Sequence, residues 1–270
     1  MANDRAIAIL DSGVGGLTVV KEVMRQLPQE TIHYFGDTAR APYGPRTDAE
    51  VRRFTREIVE YLMKYDPKMI VIACNTATAA AIDDIRGAVP VPVLGVIGPG
   101  AREAVKATRN GRIGVIGTDG TVRSGAYVSA LKRIAPHVRV VSLACPAFVP
   151  LVEKGLYRSD EARSAVCEAL EPLREEPIDT LILGCTHYPF LTDVIQACMG
   201  RHVAIISSAE QTARDISTLL YQSGQLASCG NVPVHRFFCS GDAETFRRIA
   251  VEWLNEPVRL HPVVWQGAGV

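Results

Sequence analysis

Two short stretches decide how this chain folds: MIVIACNTAT at residues 69–78 and LILGCTHYPF at residues 181–190. Each is a run of branched apolar residues, followed by a small residue, a cysteine and small polar side chains. A short apolar run of this kind is typical of a strand that is buried on both faces of a parallel sheet. The same arrangement of strand and cysteine therefore occurs twice, with Cys74 and Cys185 separated by 111 positions.

Short apolar runs alternate with segments of helical period along the whole chain. The clearest helix is predicted over 47–65, where Val51 and Phe54 share a face and Thr47 with Glu50 forms a capping box. Alternation of strands and helices, with strands apolar on both faces, predicts an α/β fold of mostly parallel sheets flanked by helices. The predicted strands are AIAIL (6–10), TIHYFG (31–36), MIVIAC (69–74), VPVLGV (91–96), RIGVIG (112–117), VRVVSL (138–143), DTLILG (179–184), VAIIS (203–207) and VHRFFC (234–239).

The chain also matches itself. IAILDSG (7–13) aligns with IGVIGTD (113–119), and IVIACNT (70–76) aligns with LILGCTH (181–187), at offsets of 106 and 111 residues. Similar offsets indicate a duplicated α/β unit, although buried strands resemble one another in any protein because all are rich in Val, Ile and Leu.

A segment rich in Gly and Pro, GVIGPGA (95–101), predicts a hinge between the two units. We expect the chain to return to the first unit near residue 207. These features predict two α/β domains, one formed by residues 1–97 and 208–270 and the other by residues 98–207.

Composition and charge describe an ordinary globular protein. The 270 residues are 47% hydrophobic, and 29 basic residues balance 29 acidic residues. Since no basic tract with interleaved aromatics is present, nucleic-acid binding is not expected. No apolar run has the length of a signal-peptide core or a membrane span, so we expect a cytoplasmic protein without membrane contact.

The seven cysteines are scattered, and no C-x-x-C pair occurs among them. This spacing is not that of a disulfide framework or a zinc ribbon. We therefore expect most of the thiols to be small buried hydrophobic groups. The seven cysteines are Cys74, Cys145, Cys167, Cys185, Cys198, Cys229 and Cys239.

Cys74 and Cys185 are predicted at the carboxyl ends of their strands, where open parallel sheets bind ligands. Small polar residues follow each of them at a predicted helix N-terminus, which favours a carboxylate ligand and also a thiolate. If the two halves face each other, one thiol can remove a proton from a carbon while the other delivers a proton to the opposite side. The other interpretation is that strand-end cysteines only fill space, as Cys145 and Cys239 occupy similar positions; the pattern alone leaves both open.

No cofactor or metal is predicted from the motifs. DSGVGG (11–16) has neither the G-x-G-x-x-G spacing nor the Lys-Ser/Thr of a phosphate-binding loop, and we interpret it as a carboxylate-binding helix N-terminus or a tight turn. A pyridoxal-phosphate enzyme needs a lysine for the Schiff base, and none of the six lysines follows a strand. Cys185 and His187 are two potential metal ligands, but the other histidines form no cluster with them.

Six motifs in the same order resemble the bacterial glutamate racemases, of the aspartate/glutamate racemase family, over nearly the whole chain. They are DSGVGGLTV (11–19), GDTARAPYGPR (36–46), VIACNTATA (71–79), GVIGTDGTVRS (114–124), CPAFVPLVEKG (145–155) and LILGCTHYP (181–189). The part after about residue 220 carries little of the family pattern.

The resemblance implies two pseudo-symmetric α/β domains with an active site in the cleft between them. It implies interconversion of L- and D-glutamate without a cofactor, a role in peptidoglycan synthesis and a homodimer. By motif match, Cys74 and Cys185 are the acid/base groups, acting on D- and L-glutamate respectively. Asp11 and His187 assist these thiols, and Glu153 matches a third assisting position.

Oriented donors must stabilise the carbanion that forms when the α-proton leaves, since no electron sink is available. The alternative role of each candidate donor is helix capping or turn formation. The residues expected to bind substrate are Asp11, Ser12, Tyr43, Gly44, Asn75, Thr76, Thr118, Thr186 and His187.

Two other functions remain open from the sequence. One is a racemase for aspartate or another acidic amino acid, because pocket size cannot be read from sequence. The other is a two-domain binding protein for a small anion, in which both cysteines only pack.

Overall fold

A computed structural model describes residues 2–265, which form two parallel sheets with helices on their faces. The strands are β1 (Ile7–Asp11), β2 (Ile32–Gly36), β3 (Met69–Ile72), β4 (Val93–Gly95), β5 (Arg112–Gly117), β6 (Arg139–Ala144), β7 (Thr180–Gly184), β8 (Ala204–Ser207), β9 (Arg236–Cys239) and β10 (Leu260–Pro262). The helices are α1 (Leu17–Gln26), α2 (Asp48–Met63), α3 (Asn75–Ala88), α4 (Ile97–Ala107), α5 (Asp119–Ser124), α6 (Ala126–Ile134), α7 (Phe148–Glu153), α8 (Asp160–Arg174), α9 (Thr192–Met199), α10 (Ser208–Gln222) and α11 (Ala243–Leu254), with a 3-10 helix at Tyr188–Leu191.

The strand order is β10-β9-β2-β1-β3-β4 in the first sheet and β6-β5-β7-β8 in the second. Every pairing in both sheets is parallel. The predicted class, α/β with parallel sheets flanked by helices, is confirmed.

The internal repeat is visible in the topology. The run β2-β1-β3-β4 of the first sheet has the same order as β6-β5-β7-β8 of the second. The strands paired by the internal sequence match, β1 with β5 and β3 with β7, therefore hold equivalent positions. Strand β3, which leads to Cys74, lies next to β1, and strand β7, which leads to Cys185, lies next to β5.

The chain crosses between the sheets twice. It leaves the first sheet after β4 and enters α4 at Ile97, and it leaves the second sheet after β8, where α10 begins at Ser208. Helix α10 packs against both α1 and α4, and β9 and β10 then join the first sheet beside β2. The division into domains stays a prediction, and residues 266–270 of its first unit lie outside the described residues.

Strand β1 is buried on both faces, as its continuous apolar run predicts. Ile7 and Ile9 pack in one core cluster with α1, while Ala8 and Leu10 pack in another with α2 and α3. The predicted helix over 47–65 is observed as α2, and Thr47 caps it in the expected box with Glu50. A parallel strand covered on both sides leaves only its carboxyl end free for a ligand.

Two features of the fold were not predicted. The first is β10, a three-residue strand that ends in Pro262 at the edge of the first sheet. Such a strand has no periodicity to detect, and proline is tolerated there because an edge strand need not donate every N–H group.

The second is a disulfide between Cys167 of α8 and Cys198 of α9, whose Cα atoms lie 5.4 Å apart. The expectation of unpaired thiols is wrong for these two residues, because the contact of α8 with α9 brings together cysteines that are 31 positions apart. Cys229 is free but exposed, and the remaining four are free and buried: Cys74, Cys145, Cys185 and Cys239.

Candidate active site

Both cysteines of the repeated motif lie just beyond the carboxyl end of their strand and are almost fully buried, with 5% of Cys74 and 6% of Cys185 exposed. Cys74 caps α3: its sulfur accepts a hydrogen bond from the backbone N–H of Ala77 at 3.4 Å and donates to Ser12 Oγ at 3.7 Å. The sulfur of Cys185 lies 3.6 Å from Nδ1 of His187. The two thiols thus have different hydrogen-bond partners.

One cavity between the two sheets is lined by both cysteines. Its volume is about 10 Å³, so the space between the two halves is narrow at this site. Pro42 and Val149, which the motifs did not single out, also line it. The predicted binding residues in its wall are Ser12, Tyr43, Gly44, Asn75, Thr76, Thr118, Thr186 and His187.

Asp11 lies behind the cavity wall and is fully buried. Its carboxylate accepts hydrogen bonds from the backbone N–H of Gly13 at 3.0 Å and from Thr186 Oγ1 at 2.9 Å. Burial raises the pKa of Asp11, and the nearby charge of His187 together with these hydrogen bonds opposes that rise. Since Thr186 follows β7, this contact joins the two halves of the molecule.

Glu153, at the end of α7, also lies behind the wall. One of its oxygens, Oε1, is 2.5 Å from Nε2 of His187 and accepts the backbone N–H of Val14 at 3.1 Å. Cys185, His187 and Glu153 therefore form a continuous chain of side chains. Burial lowers the pKa of His187, but its hydrogen bonds to Cys185 and Glu153 outweigh burial and hold the pKa well above its ordinary value. The imidazole is thus held in its charged form between two acidic groups.

On the other side, the neighbouring charge that acts most on Cys74 among residues 2–265 is the carboxylate of Asp11, not a cation. Burial raises the pKa of the Cys74 thiol to about 12, and the charge of Asp11 adds to the rise. The hydrogen bonds that Cys74 makes with the backbone N–H of Ala77 and with Ser12 only partly offset it. Cys74 is therefore held as a neutral thiol.

The glycines of DSGVGG allow the second half to approach the first. A Cβ atom on Gly13 would lie 2.0 Å from Oε1 of Glu153, and one on Gly15 would lie 2.5 Å from Nδ1 of His187. Any side chain at either position would displace these groups. Glycine at these two positions therefore lets Glu153 and His187 pack against the turn, and carboxylate binding by the motif stays a prediction.

The predicted helix N-terminus after Cys185 is wrong. Helix α3 begins immediately after Cys74, but α9 begins only at Thr192, and a 3-10 helix with Pro189 in its first turn lies between. His187 precedes this 3-10 helix and turns back toward Cys185. The two equivalent strands therefore lead into different local structures.

Polar contacts join the halves around the cavity. Oγ1 of Thr76 lies 2.8 Å from Oγ1 of Thr118, which caps α5. Asn75 Oδ1 accepts a hydrogen bond from the hydroxyl of Tyr127 at 2.8 Å, while the Nδ2 of Asn75 is buried with no hydrogen-bond partner. An unpaired buried donor in a cavity wall is suited to an oxygen of a ligand.

Sequence reasoning missed Asp37, which follows β2 and is fully buried. Its carboxylate accepts hydrogen bonds from Tyr43 at 2.5 Å, Ser240 at 2.7 Å and Trp265 at 2.9 Å, and it pairs with Arg40 at 2.6 Å. These contacts fix the loop that carries Tyr43 and Gly44 over the cavity. The sequence signal for this residue is a carboxylate directly after a strand.

Within residues 2–265, no group of three or more His, Cys, Asp or Glu side chains is arranged to hold a metal ion. None of the helices in the same range is long and apolar enough to cross a membrane.

The model of the Asp/Glu/Hydantoin racemase family matches residues 12–216. A glutamate racemase of Oceanobacillus iheyensis is 53% identical over 248 residues, which cover 92% of this chain and 90% of the relative. This chain belongs to the Asp/Glu/hydantoin racemase family. As a member of this family it is a racemase, an isomerase, and the hypothesis of an anion-binding protein with two packing cysteines is not favoured.

Solved structures of other racemases have the same fold. Glutamate racemase isoform RacE1 of Bacillus anthracis superimposes with a TM-score of 0.92 at 48% identity, covering 96% of this chain and 97% of that one. Glutamate racemase of Francisella tularensis, in complex with D-glutamate, gives a TM-score of 0.89 at 34% identity, covering 96% and 97%. The racemase fold therefore extends beyond residues 12–216 to the segment after residue 220, where the motifs carried no signal.

Proposed function

We propose that this chain interconverts L-glutamate and D-glutamate by a two-thiol proton transfer at the α-carbon, with no cofactor. The observation that carries the proposal is that Cys74 and Cys185, from equivalent strands of the two sheets, line one cavity. We infer glutamate as the substrate from the 53% identity to a glutamate racemase. The relatives do not favour the alternative, a racemase for aspartate or another acidic amino acid.

In the L-to-D direction, the sulfur of Cys185 acts as the base. A thiolate is the form that accepts a proton, and an adjacent imidazolium favours a thiolate over a thiol. His187, charged and 3.6 Å from this sulfur, is the cation, and Glu153 holds it in that form through Nε2. The S–H bond forms on Cys185 as the Cα–H bond breaks.

Cys74 then delivers its proton to the opposite face of the α-carbon. A neutral thiol is required for this step, and the raised pKa of Cys74, about 12, keeps the proton on sulfur until the carbanion forms. In the D-to-L direction the roles are exchanged, so Cys74 must become the base. Asp11 raises the pKa of Cys74 and therefore does not activate this thiol directly; it is better suited to bind the substrate ammonium group or to accept a proton from it.

The carbanion is the costly species on this path. A turnover of about 10 per second leaves a barrier of roughly 16 kcal/mol, and oriented hydrogen-bond donors must supply the stabilisation that a cofactor would otherwise give. The unpaired Nδ2 of Asn75 is suited to a carboxylate of the substrate, which is present before and after the α-proton leaves. Ser12, Thr76, Thr118, Thr186 and the backbone at Tyr43 and Gly44 are the candidate donors in the wall.

Deuterium exchange at the α-carbon tests the proposal. Purified protein in deuterated buffer is incubated separately with L-glutamate and D-glutamate, and deuterium incorporation is followed by NMR while enantiomers are separated by chiral chromatography. We expect label in the product enantiomer from both starting materials and no absorbance above the protein band. Absence of exchange with glutamate would refute the proposed function, and comparable turnover of aspartate would favour the broader acidic-amino-acid racemase.

We further propose that the D-glutamate supplies peptidoglycan synthesis and that the enzyme acts in the cytoplasm as a homodimer. Balanced charge, with 29 residues of each sign, is consistent with an enzyme that binds neither nucleic acid nor membrane. Light scattering coupled to size-exclusion chromatography measures the oligomer, and a monomer at every concentration tested would contradict the homodimer. To test the role in peptidoglycan synthesis, cells are depleted of the protein and supplied with external D-glutamate. Restored growth is the result expected.

A further inference from the structure

A tyrosine from the second half of the molecule reaches the cavity wall of the first. Tyr127 lies in α6, is 2% exposed, and donates its hydroxyl hydrogen to Oδ1 of Asn75 at 2.8 Å. Asn75 is the first residue of α3, directly after Cys74. Tyr127 itself does not line the cavity around the two thiols, but Asn75, which accepts its hydroxyl hydrogen, does.

This hydrogen bond decides which end of the Asn75 carboxamide is available. A primary amide has one acceptor oxygen and one NH₂ donor group. The oxygen of Asn75 is taken by Tyr127, and its Nδ2 is buried without a partner. With the opposite orientation, an oxygen would face the cavity, and a substrate carboxylate would meet an acceptor instead of a donor.

A serine side chain lies near the same hydroxyl. Burial raises the pKa of Tyr127, and the Ser208 side chain opposes the rise. Gly100 makes room for this contact, because a Cβ there would lie 3.2 Å from the Tyr127 hydroxyl and 3.1 Å from Ser208 Cβ.

We propose that Tyr127 is a positioning residue: its hydroxyl orients the Asn75 amide so that Nδ2 faces the cavity and binds a carboxylate of the substrate. The inference rests on the proposed racemase function and adds a residue to it that no motif contains. Because the amide would bind the same carboxylate in the ground state and the transition state, its misorientation weakens substrate binding more than turnover. Gly100 and Ser208, at the two crossings between the sheets, lie close to the Tyr127 hydroxyl.

The test compares Tyr127→Phe, Asn75→Ala and the double variant in glutamate racemisation assays with both enantiomers. We expect Tyr127→Phe to raise KM about tenfold, with kcat changed much less, because a hydrogen bond to a charged group is weakened. Asn75→Ala is expected to raise KM by about 10–100-fold. In the Asn75→Ala background, Tyr127→Phe has no further effect on KM, because the amide through which it acts is gone.

Tyr157→Phe is the matched control, since it removes a hydroxyl that donates to Glu252 at 2.8 Å from a tyrosine that is 5% exposed. It is expected to keep the wild-type KM. An unchanged KM in Tyr127→Phe, or effects of Tyr127→Phe and Asn75→Ala that simply add, would overturn the positioning role.

Two further measurements keep the test decisive. If Tyr127→Phe does not fold, as judged by circular dichroism, Gly100→Ala displaces the same hydroxyl without altering the ring; a raised KM supports the proposal and a wild-type KM overturns it. Wild-type protein that exchanges no α-proton of glutamate would refute the proposed function itself. An active wild type with an unaffected Tyr127→Phe variant refutes only the role of Tyr127.

Discussion

Cys74 and Cys185 end equivalent strands of two sheets with the same internal order, yet the groups around them differ. Cys74 opens a regular α-helix, is bonded by a backbone N–H and a serine, and faces the buried carboxylate of Asp11. Cys185 leads into a 3-10 helix and faces a histidine that is charged by contact with Glu153. Duplication has therefore kept the position of the thiols while their hydrogen-bond partners diverged.

In the proposed mechanism, this difference suits one site to two unlike tasks. Racemisation by two thiols requires a thiolate on one side of the carbon and a thiol on the other at the same moment. Identical surroundings would favour the same protonation state for both sulfurs. Burial and Asp11 favour a thiol at Cys74, whereas a charged imidazole lies beside Cys185.

The largest expected effect comes from removing either sulfur. Cys74→Ala and Cys185→Ala are each expected to lower kcat for glutamate racemisation by at least about 10³-fold, because each variant loses one of the two proton-transfer groups. Chiral chromatography of the product measures the loss. Cys239→Ala is the control, since Cys239 is also a buried thiol at the end of a strand, and it is expected to keep wild-type activity. Full activity in either single variant would show that the two sulfurs are not a pair.

An intermediate effect is expected from Glu153→Gln, which acts on the Cys185 side only. Burial lowers the pKa of His187, and the hydrogen bonds and charges of Cys185 and Glu153 raise it above its ordinary value, so removing the Glu153 charge lowers that pKa. The charged imidazole is present below its pKa and is lost as pH rises through it. We therefore expect the alkaline limb of kcat/KM against pH to move down by about one pH unit.

The same variant is expected to lose activity about tenfold in mildly alkaline buffer. Glu168→Gln, on the exposed face of α8, is the matched control and leaves the profile in place. A Glu153→Gln profile that coincides with the wild type would contradict the charged state of His187 in the active enzyme.

The smallest effects are expected on the free energy of unfolding, from breaking either of two hydroxyl contacts that join the halves. Thr186→Val removes a partner of the buried Asp11 carboxylate and is expected to cost about 1–3 kcal/mol of unfolding free energy. Thr76→Val breaks a contact between neutral hydroxyls and is expected to cost about 1 kcal/mol. Urea denaturation of both variants measures the difference, and an equal or reversed order would show that the Asp11 side is not the more strongly coupled of the two.

The fold was predictable because its strongest signals are local. Nine apolar runs and the capping box at Thr47 each report a feature that neighbouring residues determine, and all nine runs are strands in the structure. Strand β10 was missed because three residues at a sheet edge carry no period. The disulfide between Cys167 and Cys198 was missed because it depends on how two helices pack.

The candidate site was predictable where residues follow strands, and less so elsewhere. Strand ends indicated Cys74, Cys185 and the small polar residues after them, because parallel strands direct their carboxyl ends to one edge. Tyr127 lies within a helix and is recognisable only from its contact with Asn75. The resemblance supplied Glu153, whose contact with His187 spans 34 positions of the sequence.

The strand order of the first sheet has a consequence for synthesis of the chain. Strand β2 pairs with β9, which is followed by β10, so the first sheet is completed by strands that leave the ribosome after every other strand of both sheets. Until then, the backbone N–H and C=O groups along one side of β2 have no strand to bond, and an unpaired strand edge promotes association with other chains. A nascent chain truncated before residue 236 should therefore depend on a chaperone, while its second sheet, contained within residues 112–207, has all of its strands.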